Sequence, residues 1–143
     1  MNKLQALLNK EVANLAVFFT KLHHFHWYVT GKEFFTLHQK FEELYDEVNE
    51  LYDAFAERLI MIGGKPASSM KAYLELSIIR ESDEMDPNKM VLEVVEDLKI
   101  MALEIKELTR LAQDEGDEQT ADLAISTISS FDKHIWMFQV YLK

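Results

Sequence analysis

The chain has 143 residues, of which 48% are hydrophobic and 28% charged, enough for one packed core and too apolar for a disordered polymer. Asp and Glu total 25 against 15 Lys and Arg, a formal net charge of -10, which repels nucleic-acid phosphate and anionic membranes and attracts cations. There is no cysteine, so disulfides, iron–sulfur clusters and thiolate zinc sites are excluded, and any metal must sit on His, Asp or Glu.

The first ten residues contain no long apolar run, so neither a secretory signal nor a membrane span is expected there, and a cytoplasmic location follows by default. Leu4, Leu8, Leu15, Phe19, Leu22 and Phe25 then mark the apolar stripe of a first long helix, which Gly31 brings to a stop. The second stretch has the clearest stripe, with Leu37, Phe41, Leu44, Val48, Leu51, Phe55, Leu59 and Ile62 recurring at steps of three and four. Gly63, Gly64 and Pro66 end it. The segment from Gly63 to Asp86 is too long for a simple hairpin; it is expected to cross the bundle and to carry a short helix over Met70 to Leu76. Asp86 as cap and Pro87 in the first turn open a third long helix, lined by Val91, Val94, Val95, Leu98, Met101, Ile105 and Leu108. Gly116 closes it. Asp117, Glu118 and Asp122 open the fourth, whose stripe is Leu123, Ile128, Phe131, Ile135, Phe138 and Leu142. No run alternates with period two. The reading is one all-α domain over residues 1–143: a four-helix bundle of the ferritin-like kind, with two short connections and a long one carrying the extra helix.

Four of the five histidines, His23, His24, His26 and His38, fall in one short region. His38 and Glu42 are four apart on one helix, and so are Asp53 and Glu57. Imidazole and carboxylate at that spacing can reach one first-row metal ion, although acidic pairs at helical spacing ordinarily form a solvated face. Context decides between the two. The runs His26-Trp27-Tyr28-Val29-Thr30-Gly31, Phe34-Phe35-Thr36-Leu37-His38-Gln39-Lys40-Phe41-Glu42-Glu43, Asp53-Ala54-Phe55-Ala56-Glu57-Arg58-Leu59 and Gly63-Gly64-Lys65-Pro66, with Asp132-Lys133-His134-Ile135-Trp136-Met137 in the last helix, closely resemble the Dps family of miniferritins, and the resemblance spans essentially the whole chain.

That resemblance implies a ferroxidase centre with iron as its metal and its ligands on His26, His38, Glu42, Asp53 and Glu57. Glu42 stands where the family often has Asp. An independent check comes from spacing. His38 and Asp53 are separated by 15 residues, about 22 Å along a helix, and Glu57 lies about 28 Å away. Side chains cannot close such gaps around one ion. Successive steps of about 100° nevertheless bring His38 and Asp53 to within about 60° around the helix. An antiparallel two-fold partner would therefore set His38 of one chain beside Asp53 of the other. The ordinary ferritin arrangement uses Glu-x-x-His motifs inside one bundle. None is present, because the residues three before the five histidines are Thr20, Lys21, His23, Phe35 and Phe131.

The resemblance further implies a dodecamer of two-fold dimers that oxidises Fe(II), with hydrogen peroxide preferred, and stores ferric mineral in its cavity. Trp27 is expected to serve as an interface aromatic and as an electron donor near the iron; Tyr28 is a weaker candidate, and Trp136 reads as packing. Glu43, Glu47 and Glu50 could form a cavity-facing row that nucleates mineral, or a solvated face. Asp117 and Asp122 either stabilise the helix start or line a three-fold pore. His23 could lie just behind the metal ligands, His24 is expected to be exposed, and His134 to pack or cap. DNA binding is not expected: the net charge is -10, and only Lys3 and Lys10 are basic near the start. Two other readings are a purely structural or signalling bundle and a carboxylate-bridged enzyme acting on an organic substrate.

Overall fold

The computed structural model describes residues 1–143. Its elements are α1 (Lys3–Tyr28), α2 (Phe34–Met61), α3 (Met70–Leu76), α4 (Pro87–Asp114) and α5 (Glu118–Tyr141), so the long helices and the short one fall where the pattern predicts. α1 pairs with α2 and α4 with α5 as two antiparallel hairpins. α1 also packs on α4, and α3 lies against α1.

The helix ends follow from local chemistry. Asn2 and Gln5 form a capping box at the start of α1, which satisfies two orphan N–H groups. Asp86 accepts from the Lys89 N–H with Pro87 behind it, and Ser69 accepts from Ala72 at the start of α3. α2 ends in a Schellman turn: the N–H groups of Gly63 and Gly64 donate to the carbonyls of Ile60 and Leu59 at 3.0 and 2.8 Å, with Gly63 at φ 89°. A Cβ on Gly64 would lie 2.2 Å from Leu59 Cδ1, so a larger residue there would have to displace the buried Leu59 side chain.

The same turn recurs after α4, where the Asp117 N–H donates to Ala112 at 2.8 Å. Asp117 then caps α5, accepting from the Thr120 N–H at 3.0 Å, while Arg58 of α2 reaches it at 3.1 Å. Burial works against the ionised carboxylate, but the bonds from Thr120 and the Arg58 charge hold its pKa below the usual range. Asp117→Ala is expected to cost about 1–2 kcal/mol, read as a lower Tm. A depressed pKa contributes stability above the unfolded value and loses it as pH falls through the folded value. The deficit of the variant should therefore shrink in acid.

The core is the meeting of the four stripes. Phe18, Phe25, Phe41, Phe55 and Phe131 are fully buried, each worth about 1.5–3 kcal/mol of transfer free energy. α5 departs from its expected stripe. Leu123, Ile128, Ile135 and Leu142 are only partly buried, and its first half instead buries Thr120, Ala121, Ala124 and Thr127, small residues that let the helix approach its neighbours closely.

α1 also buries polar side chains, and these fasten the long connection. Asn9 Oδ1 accepts from the Ala67 N–H at 2.7 Å. Asn14 Oδ1 accepts from Ser77 Oγ and the Ile78 N–H, both at 2.9 Å. Glu11, wholly buried, is pushed well above the usual carboxylate range by burial and by the neighbouring Glu104 carboxyl. Lys21 is nearly sealed beneath α4, with its ammonium 2.8 Å from Asp97 and 3.3 Å from Glu93. No helix is long and apolar enough to cross a membrane.

Candidate metal centre

The last turn of α1 and the first turns of α2 face each other across the connection 29–33, where Gly31 adopts φ 95°. This places His26 beside His38. Their rings stack with centroids 3.7 Å apart and planes 13° apart, and Phe34 stacks on His38 at 4.9 Å. The hydrogen bonds are reciprocal. His26 Nδ1 lies 2.7 Å from the His38 carbonyl, and His38 Nδ1 lies 2.7 Å from the His26 carbonyl. A carbonyl only accepts, so both Nδ1 atoms must carry the proton. In the neutral rings both Nε2 atoms are then free lone pairs, the tautomer that a metal requires. The His26 carbonyl is one of those that a helix end leaves without an intrahelical partner, and the His38 ring satisfies it.

Glu42 stands beside the pair, its Oε1 3.8 Å from His26 Nε2. Asp53 and Glu57 stand exposed farther along α2, where Asp53 pushes Glu57 above the usual carboxylate range by hydrogen bonding and repulsion. Because α2 is one continuous helix, the two halves stay about 22 Å apart. No three His, Asp or Glu side chains of the single chain converge to hold a metal.

The remaining predicted residues are scattered. Trp27 is 67% exposed and lies edge-on to His23, with ring centroids 5.4 Å apart. Asp122 is exposed, whereas Asp117 is engaged as described. Glu43 and Glu50 are exposed, but Glu47 is half-buried and accepts from Ser130 Oγ at 2.7 Å and His134 Nε2 at 3.1 Å. Burial opposes the Glu47 charge, yet these bonds hold its pKa below the usual range, so it braces α2 to α5 rather than standing free. His24 is not exposed but half-buried, with Nε2 2.9 Å from the Glu84 carbonyl, because the long connection returns over it. Sequence reasoning misses Tyr45. Its ring stacks on His23 at 3.8 Å and meets His26 edge-on at 5.2 Å, while its hydroxyl lies 3.5 Å from Glu42 Oε1. The available signal was helical: Tyr45 follows Glu42 by three residues, and His23 precedes His26 by three.

Residues 5–143 match the ferritin-like domain. The chain is 47% identical to DNA protection during starvation protein 2 of Bacillus anthracis over 95% of its own length and 94% of the relative's. Among solved structures, a Dps protein from Bacillus brevis superposes with a TM-score of 0.96 at 40% identity, covering 100% of both chains. The chain belongs to the Dps family. Dps from Listeria innocua soaked with zinc is also similar to this Dps chain, with a TM-score of 0.95 and 41% identity over 98% of this chain and 96% of that one. Family membership places the protein among ferritin-like proteins of stress protection and metal handling, and it gives the stacked histidines of this Dps chain their chemical setting.

Proposed function

We propose that this Dps protein oxidises ferrous iron at centres completed by a second copy of the chain, and that it stores the ferric product inside a hollow dodecamer in the cytoplasm. The observation that carries this reading is the reciprocal histidine lock, which leaves the Nε2 atoms of His26 and His38 free as donors, with Glu42 Oε1 3.8 Å from that of His26. Iron is the substrate. Imidazole nitrogen suits Fe(II), and carboxylate oxygen stabilises the higher charge of Fe(III). Asp53 and Glu57 of an antiparallel partner would supply the missing oxygens, and binding a cation between them would relieve their mutual repulsion.

The face that a partner would cover is apolar. One surface hollow is lined by Val17, Thr20, Met70 and Leu74, and the next, sharing Thr20, by Phe19, His23, Trp27 and Tyr28. Trp27, Met70 and Leu74 are all more than half exposed in the single chain, as is expected of a surface that seats a second copy. Hydrogen peroxide is the proposed oxidant. Two Fe(II) ions supply the two electrons that reduce one peroxide to two waters, so no hydroxyl radical is released. Trp27 would stand by as a further electron source. Asp122 and Asp117 are proposed to line the entry pore, with Asp117 also serving as helix cap, and Glu43 and Glu50 to nucleate mineral on the cavity side.

Anaerobic protein mixed with Fe(II) and then given peroxide should develop ferric absorbance in the ultraviolet faster than it does with oxygen alone. No rise above the protein-free rate would refute the reading. Protection is proposed to come from removing iron and peroxide rather than from coating DNA. A net charge of -10 per chain is repelled by a phosphate backbone. Incubation with plasmid at neutral pH and about 150 mM salt, where screening is already strong, should give no shift in an agarose gel.

A further inference from the structure

Tyr45 belongs to none of the ligand pairs, yet it joins them. Its ring lies flat on His23 and edge-on to His26. Its hydroxyl faces Glu42 Oε1 at 3.5 Å. His23 is held by its own helix through the Phe19 carbonyl at 2.9 Å, and Phe19 closes on the Tyr45 ring at 5.8 Å. The phenol is half-buried, so a radical there would be partly shielded from solvent.

We infer that Tyr45 is the one-electron donor that completes peroxide reduction when only one Fe(II) occupies the centre. The inference rests on the ferroxidase reading above. Cleaving the O–O bond of hydrogen peroxide to two waters takes two electrons and two protons. A single Fe(II) gives one electron and becomes Fe(III). Tyr45 gives the other: its O–H bond breaks, the proton passes to the Glu42 carboxylate facing it and on to the peroxide oxygen, and the second proton comes from solvent. A neutral phenoxyl radical remains on Tyr45 in place of a hydroxyl radical at the iron. With two Fe(II) ions present both electrons come from iron, and Tyr45 stays reduced.

The test uses the assembled protein, loaded anaerobically with one Fe(II) per centre, mixed with peroxide and frozen within the first turnover for electron paramagnetic resonance. Ferric absorbance is followed in parallel. A tyrosyl signal is expected that narrows when the protein is made with ring-deuterated tyrosine, disappears in Tyr45→Phe, persists in Tyr28→Phe, and fades when two Fe(II) are loaded. Phenylalanine keeps the ring that packs on His23, so folding is checked simply by thermal melting and assembly size. A tyrosyl signal surviving in Tyr45→Phe overturns the inference. A signal that belongs only to tryptophan and vanishes in Trp27→Phe does so as well, as does oxidised iron with no radical. If no iron is oxidised at all, the ferroxidase reading itself has failed and the inference falls with it.

Discussion

Two inactive variants of this protein should restore activity to each other. Asp53→Ala with Glu57→Ala removes one half of the proposed centre, and His26→Ala with His38→Ala removes the other. Each is expected to lower Fe(II) oxidation about 100-fold or more, since ligand and near-ligand losses reach that size. Asp53 and Glu57 are exposed, so their loss should leave helix content and Tm nearly unchanged. If the centre forms between antiparallel copies, a mixed dimer assembles one intact site from the undamaged half of each chain. Random pairing makes about half the dimers mixed, each with one good site of two, so about a quarter of the wild-type rate should return on co-refolding. A centre built within one chain would give no recovery. The assay is the initial rate of ferric absorbance for each variant alone and for the co-refolded mixture.

The second large effect concerns stability. Lys21 has only 4% of its side chain exposed and forms the only close positive partner of Asp97. The 2.8 Å contact is ionic, with a geometry that falls short of a hydrogen bond. Lys21→Met keeps the apolar stem and deletes the charge, leaving Asp97 buried with Glu93 beside it. Breaking a buried pair from one side costs about 3–5 kcal/mol, and denaturant midpoints near pH 8 should show it. Burial already raises the Asp97 pKa despite Lys21, and losing the ammonium raises it further. A carboxyl whose folded pKa is raised loses stability as pH climbs from its unfolded value through the folded one. The Lys21→Met deficit should therefore be largest at alkaline pH and smaller near pH 5. Adding Asp97→Leu should recover most of it, because the orphaned charge is then gone. Equal deficits at both pH values would contradict this account.

Much of this architecture was legible because the sequence marks it locally. Asp86-Pro87 announces a helix start whatever surrounds it, and the double glycine at 63 and 64 announces an end. The short helix over Met70 to Leu76 was readable because α2 and α4 point the same way, so the connection between them must run the length of the bundle beside α1 and has room for a helix. The opening half of α5 was less legible. Thr120, Ala121, Ala124 and Thr127 carry little hydrophobic signal, and they are buried only because α5 presses close to the bundle. The engagement of Glu47 with Ser130 and His134 and the bond from His24 to the Glu84 carbonyl join residues far apart in the chain, which no periodicity encodes. At the candidate centre the residue types and the separation along α2 were readable. The histidine tautomers were not, because they depend on two carbonyls whose positions are set by how α1 meets α2.

The continuity of α2 has a kinetic meaning. A rod of 28 residues without a break keeps the nitrogen and oxygen donors of any newly made chain permanently out of reach of each other. On the proposed reading, competence toward iron is tied to encounter, and below the dissociation constant of the pair the number of working centres falls with the square of chain concentration. A cell making only traces of this protein would hold inert protomers, and one that raises its synthesis gains capacity faster than it gains protein.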